Sequence, residues 1–210
     1  MRNNAVILFL LLSTSLFSYV QAATSGNVKF TGEVIAGKLC TVKADSVNKT
    51  VPLGTIARNQ LPTAGATAGN SEFTLSVTDC GIDVSNANNH RLTYYFVSSA
   101  ATLNPRAGNY DYYLKNTATS PNQNSVGVQV FIKNGTNAGN VLKITNRVLP
   151  NTNRDEGGYT GRELGATVTG TGVNADVNID LSAKFYSVTN GTADKPGQVT
   201  SEMNFEVWYE

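Results

Sequence analysis

Val177, Ile179, Leu181, Ala183 and Phe185 alternate with Asp176, Asn178, Asp180, Ser182 and Lys184. A strict period of two over this length predicts a half-buried β-strand, because successive side chains of a strand point to opposite faces. Val126, Val128, Val130 and Ile132 repeat the pattern and end at Asn134-Gly135, a turn signal leading toward Val141 to Ile144. That arrangement predicts a hairpin with a longer loop. Further strands are expected at Phe73 to Thr78, Leu92 to Val97, Tyr110 to Leu114 and Ala166 to Val168. The polar, glycine-bearing stretch Asn151 to Gly161 reads as a surface loop. No long helical period interrupts the series, so the pattern predicts antiparallel sheets in a sandwich or barrel.

The two ends are patterned as well. Val199, Ser201, Met203, Phe205, Val207 and Tyr209 alternate with Thr200, Glu202, Asn204, Glu206, Trp208 and Glu210, so a last strand is expected to run to the end of the chain. Near the other end Val28, Phe30, Gly32, Val34 and Ala36 alternate with Lys29, Thr31, Glu33 and Ile35. Glycine inside a strand weakens it and often marks a place where another chain must approach closely. An ordinary first strand with an incidental glycine remains the alternative.

Residues 1–22 carry one charge, Arg2, then an apolar run from Ala5 to Leu12 that continues weakly to Phe17, then Val20-Gln21-Ala22. Small residues before the expected cut fit a cleaved export signal. The apolar run is well short of the roughly 20 residues a membrane-spanning helix needs. Removing Arg2 leaves 15 basic residues, 16 less one, against 15 acidic ones, so the mature chain is formally neutral. A neutral chain offers no field for nucleic acid.

Cys40 and Cys80 are the only cysteines. An oxidising compartment favours pairing them, with Cα atoms roughly 4.4 to 6.8 Å apart. The other uses, a reactive thiol or metal ligands, lack a histidine-rich partner set.

Catalytic candidates are sparse, and no enzyme and no cofactor is expected. His90, the one histidine, lies in the polar run Asn88-Asn89-His90-Arg91, without an organised partner in view. Asp155-Glu156 reads as a solvated turn. Tyr94-Tyr95-Phe96 with Tyr110, Tyr112 and Tyr113 could stack on a sugar, although strands more often use aromatics for core and cross-strand packing.

Taken together, several segments resemble the fimbrial subunits of Gram-negative chaperone-usher pili, of the type 1 and F17 kind. They are Val28 to Val34 followed by Cys40-Thr41-Val42, Phe73 to Cys80, Ser125 to Val130, Phe185-Tyr186 followed by Pro196-Gly197, and Phe205 to Glu210. Gly197 is fourteenth from the end and Tyr209 penultimate, which matches that family's C-terminal signature. The Asn104 to Gln123 and Asn151 to Thr171 segments look like insertions relative to compact members, and the N-terminal lead is short.

The resemblance implies an all-β, incomplete immunoglobulin-like sandwich that lacks its final strand and is completed by donor-strand exchange. It divides the chain into a signal peptide over 1–22, a donor segment over 23–36 and a pilin domain over 37–210. Val28, Phe30, Gly32 and Val34 would enter a neighbour's groove. Met203, Phe205, Val207 and Tyr209 would help form this subunit's own groove, with Gly197 and the Glu210 carboxylate serving chaperone and usher recognition. The implied partners are neighbouring pilin subunits in a head-to-tail polymer, a periplasmic chaperone and an outer-membrane usher, on a fimbria at the cell surface that supports adhesion. The competing expectation is a monomeric secreted carbohydrate-binding adhesin domain.

Overall fold

The structure is a computed structural model, and it describes residues 40–80, 92–106, 109–146, 158–189 and 196–209. The export signal, the donor segment, His90, Asp155-Glu156 and Glu210 lie outside the described residues.

The strands are β1 (Thr41–Val42), β2 (Thr67–Thr78), β3 (Leu92–Val97), β4 (Ala101–Arg106), β5 (Asn109–Lys115), β6 (Val126–Ile132), β7 (Tyr159–Thr160), β8 (Thr167–Thr169), β9 (Asp176–Ser187) and β10 (Asn204–Tyr209). They form two sheets. One runs β1-β2-β9-β6-β5-β4, with β8 also on β9, and the other runs β10-β3-β7. Every pairing between these strands is antiparallel.

One core joins the sheets. Val177, Ile179, Leu181 and Ala183 of β9 pack with Leu75 and Val77 of β2, with Val128, Val130 and Ile132 of β6, and with Leu92, Tyr94 and Phe96 of β3. The alternation read on β9 therefore points its apolar row inward. On the opposite row Ser182 and Tyr186 are buried as well, with Lys184 between them half-buried, and the Tyr186 ring packs against Tyr113 with centroids 5.1 Å apart. Close neighbours explain Gly127, where a Cβ would lie 2.6 Å from the Leu114 carbonyl oxygen.

Several expectations change. The strand placed at Phe73 to Thr78 begins at Thr67, across a register irregularity between Ala68 and Ser71. Val141 to Ile144 forms no regular strand: it contributes a single bridge, Phe131 to Val141, and backbone bonds to β6 come only from Gly139, Asn140 and Leu142 among the described residues. Part of the segment read as an insertion is β4, which pairs with β5. Part of the loop read at 151–161 is β7, followed by a one-turn helix, α1 (Gly161–Leu164). The Thr160 hydroxyl caps that turn by accepting from the Glu163 amide, and the Glu163 carboxylate accepts from the Thr160 amide in return.

Cys40 and Cys80 are bonded, with Cα atoms 3.8 Å apart, closer than the expected range. Antiparallel pairing of Thr41 with Thr78 and of Val42 with Val77 brings the two chains together right up to the bond.

Candidate functional site: an open strand edge

The last strand has one partner. β10 pairs with β3, from Asn204 opposite Val97 to Tyr209 opposite Leu92, and no described strand lies on its other side. The parity of its hydrogen bonds tells which backbone groups face that open side. On β3, the Phe96 carbonyl and the Ser98 amide bond to Thr145, away from β10. Val97, Tyr95 and Thr93 therefore turn their backbone groups toward β10, where Asn204, Glu206 and Trp208 stand opposite them.

The lead into the strand keeps the same parity. The Ser98 hydroxyl donates to the Glu202 carbonyl at 2.6 Å, and the Gln198 and Thr200 carbonyls accept bonds from residues 116 to 120. Even-numbered residues are thus engaged on one side. The backbone groups of Val199, Ser201 and Met203 have no hydrogen-bond partner among the described residues. They continue the row of Phe205, Val207 and Tyr209, so the open edge runs from Val199 to Tyr209. The expectation of one strand from 199 to the terminus is corrected to a strand from Asn204, preceded by an extended lead held by a loop rather than by a neighbouring strand.

The same odd-numbered residues carry the apolar side chains. Val199, Met203, Phe205 and Val207 pack against the core but stay only half-buried, whereas Leu92, Tyr94 and Phe96 across the pair on β3 are 5%, 0% and 1% exposed. A second half-buried row, Val51, Leu53 and Ile56, comes from the extended segment after β1. Leu53 and Val199 both pack against one buried trio, Leu61, Val126 and Phe185. Backbone bonding is sparse there too. Over 51–56, among the described residues, the Pro52 carbonyl accepts from the Ser71 hydroxyl at 2.6 Å and no backbone-to-backbone bond forms.

The last strand and its lead thus present an open backbone edge together with a half-buried apolar row, and a second half-buried row lies in the 51–56 segment. Unpaired backbone and exposed apolar side chains are each costly in water, and one added strand satisfies both.

The predicted site residues distribute as follows. Met203, Phe205 and Val207 share the half-buried row that packs against the core, and the Tyr209 backbone ends the strand opposite Leu92. Gly197 sits against the 116–122 loop, where a Cβ would fall 2.7 Å from Asn122 Oδ1. The sequence reading did not single out Val51, Leu53 and Ile56 as a half-buried row, although the apolar spacing of Val51 and Leu53 is a legible signal. The sugar-stacking platform does not form from Tyr94, Tyr95 and Phe96, which are 0%, 7% and 1% exposed.

This geometry defines a class of protein, a β-sandwich short of one strand with its acceptor edge open. A family model described as "Fimbrial protein" matches residues 28–210, and the chain belongs to that family. It is 29% identical over 187 residues to the minor fimbrial subunit HifD of Haemophilus influenzae, covering 89% of this chain and 75% of that protein. The F17 fimbrial protein of Escherichia coli is 29% identical over 191 residues, covering 90% and 89%. Among solved structures, the P pilus rod subunit PapA superposes with a TM-score of 0.50 at 13% identity, covering 82% of this chain and all of that one. The fold is accordingly the incomplete immunoglobulin-like sandwich of pilus subunits, and these relatives are structural fimbrial subunits.

Proposed function

We propose that this chain, a structural subunit of a surface fimbria, polymerises by inserting Val28, Phe30, Gly32 and Val34 of one copy into the opening between Val51–Ile56 and Val199–Tyr209 of the next. The observation that carries this reading is the open edge of β10, with its odd-numbered backbone unpaired and its inner row half-buried. An added extended segment supplies main-chain bonds for affinity and alternate side chains for specificity. Donor and acceptor are different patches, so the contact is head-to-tail and generates a filament rather than a closed ring. Before export to the cell surface, a periplasmic chaperone fills the opening with its own strand and grips the Glu210 carboxylate, and an outer-membrane usher exchanges that strand for the next subunit's. In this reading 1–22 is removed as a signal, 23–36 is the donor arm, and 37–210 is the acceptor domain.

Gly32→Leu tests the reading. The leucine overpacks the acceptor, by about 1 to 3 kcal/mol on the scale of overfilled cores, and leaves the donor's own domain untouched. The expected result is a normal yield of chaperone-bound subunit in the periplasm with surface fibres lost. Normal fibres, or loss of the chaperone complex as well, would overturn strand donation through this segment.

A further inference from the structure

The lead into the last strand is held in an unusual way. Residues 197–200 belong to no sheet, yet Asn122 Nδ2 donates to the Gly197 carbonyl at 3.1 Å and Asn116 Nδ2 donates to the Gln198 carbonyl at 2.9 Å. The Ser120 hydroxyl also donates to Gln198, at 2.9 Å, and the Thr117 amide donates to the Thr200 carbonyl at 2.8 Å. In return the Thr200 amide donates to Asn116 Oδ1 at 3.0 Å.

Asn116 and Asn122 are 3% and 5% exposed, and each has both ends of its amide bonded. Buried side-chain amides are expensive unless fully paired, so this cluster specifies one arrangement rather than a loose surface contact. Gly197 fits it closely, because the Asn122 side chain occupies the space a Cβ would need.

What the cluster accomplishes is visible on the opposite side of the lead. With Gln198 and Thr200 bonded to the loop, the backbone groups of Val199 and Ser201 are turned to the open edge, and Val199 packs against the buried trio that Leu53 also touches. The Ser201 hydroxyl, among the inner row, is buried without a hydrogen-bond partner among the described residues. A buried donor left unpaired is costly, and an arriving strand can supply the missing acceptor.

We infer that Asn116, Ser120 and Asn122 form a polar latch that positions Val199 and Ser201 as the terminal stretch of the acceptor edge, and so governs capture of the far end of the incoming strand. The three are positioning residues, since they act through 197–201. The inference rests on the strand-donation reading above, and it adds a place and a direction. An incoming strand antiparallel to β10, like every described strand pair, brings its C-terminal part, Val34 to Ala36, to the latched end.

The test uses the full subunit purified with its chaperone and two donor peptides, residues 23–36 and residues 23–32. Chaperone release by each peptide is timed for the unaltered subunit, for Asn122→Ala, and for Asn122→Asp, which keeps the side chain's shape but loses the bond to Gly197. The expected result is that the variants slow release by the longer peptide by about tenfold, the scale of one buried hydrogen bond. Release by the shorter peptide should be unchanged, an end-dependence that general damage to the domain would not produce. Equal slowing of both peptides, or no slowing of either, overturns the latch. If the unaltered subunit takes up neither peptide, strand donation itself fails, and the latch with it; uptake of both peptides at equal rates by every form leaves donation standing and removes the latch.

Discussion

Leu53 and Val199 rest on the same buried trio, Leu61, Val126 and Phe185, although one follows the first described strand and the other precedes the last. In the strand-donation reading each belongs to one wall of the acceptor opening. Because they share neighbours, their truncations should not add: the double variant Leu53→Ala/Val199→Ala is expected to depart from the sum of the singles by about 0.5 to 3 kcal/mol. Urea denaturation of the four forms, each stabilised by a fused donor strand, measures the coupling. Strict additivity would mean that the walls do not meet.

The bond between Cys40 and Cys80 closes a loop with a sequence separation of 40. On the chain-entropy model such a closure stabilises by roughly 3 to 4 kcal/mol. Replacing both cysteines by serine should lower the urea midpoint accordingly while leaving the sheets formed, and thiol counting by mass spectrometry on the unaltered protein should find none free.

Much of this architecture can be read directly from the residues, and the places where reading fails share a cause. β9 and β6 are legible because their apolar rows face a single core and period two survives in their sequences, and β3 is legible as a run rich in aromatic and β-branched residues. β4, Ala101 to Arg106, contains Pro105 and lies at the end of its sheet, where pattern constrains little. α1 is a single turn, too short for a helical period, and is announced only by the Thr160 and Glu163 pair. On the last strand, alternation revealed which residues share a face, but it does not reveal where sheet pairing stops. That boundary is set by Asn116, Ser120 and Asn122, which reach 197–200 from a distant part of the chain.

Asp176 and Lys43 pair across the outer face at 2.5 Å. The hydrogen bond from Lys43, then one from Thr78, and then the Lys43 charge hold the Asp176 carboxyl below its ordinary value of 3.8. A group whose folded value is depressed contributes stability that is present above its unfolded value and is lost as pH falls through the folded one. Asp176→Asn should therefore be less stable than the unaltered chain at neutral pH, with the gap closing below about pH 4. Urea midpoints at a series of pH values check this, and a gap independent of pH would refute the pairing.

Tyr94 is fully buried, and its hydroxyl has no hydrogen-bond partner among the described residues. Burial pushes that hydroxyl above its ordinary value of 10.0. The folded chain holds the proton more tightly than the unfolded one, so this group's contribution falls as pH rises above the unfolded value. Tyr94→Phe removes an unsatisfied donor without changing the ring. It is expected to equal or exceed the parent in stability, by up to about 1 to 3 kcal/mol, and to lose less stability above pH 10. A clearly destabilised variant would reveal a partner for the hydroxyl.

The most direct consequence of the open edge concerns completion by the chain's own sequence. Fusing a second copy of residues 23–36 after Glu210 through a flexible linker converts strand capture into an intramolecular event, with an effective concentration on the order of millimolar. The fusion should be a soluble monomer with a much higher urea midpoint than the unfused chain. Hydrogen exchange gives the sharper reading, because the backbone parity assigns each amide to a side. The amides of Val199, Ser201, Met203, Phe205 and Val207 should become protected only in the fusion, since they face the opening. Those of Asn204, Glu206 and Trp208 face β3 and should be protected already in the chaperone-free folded fraction of the unfused chain. Protection gained evenly along the strand would mean that β10 as a whole had been unfolded before, and protection of the odd-numbered amides without the fusion would mean that the edge was never open.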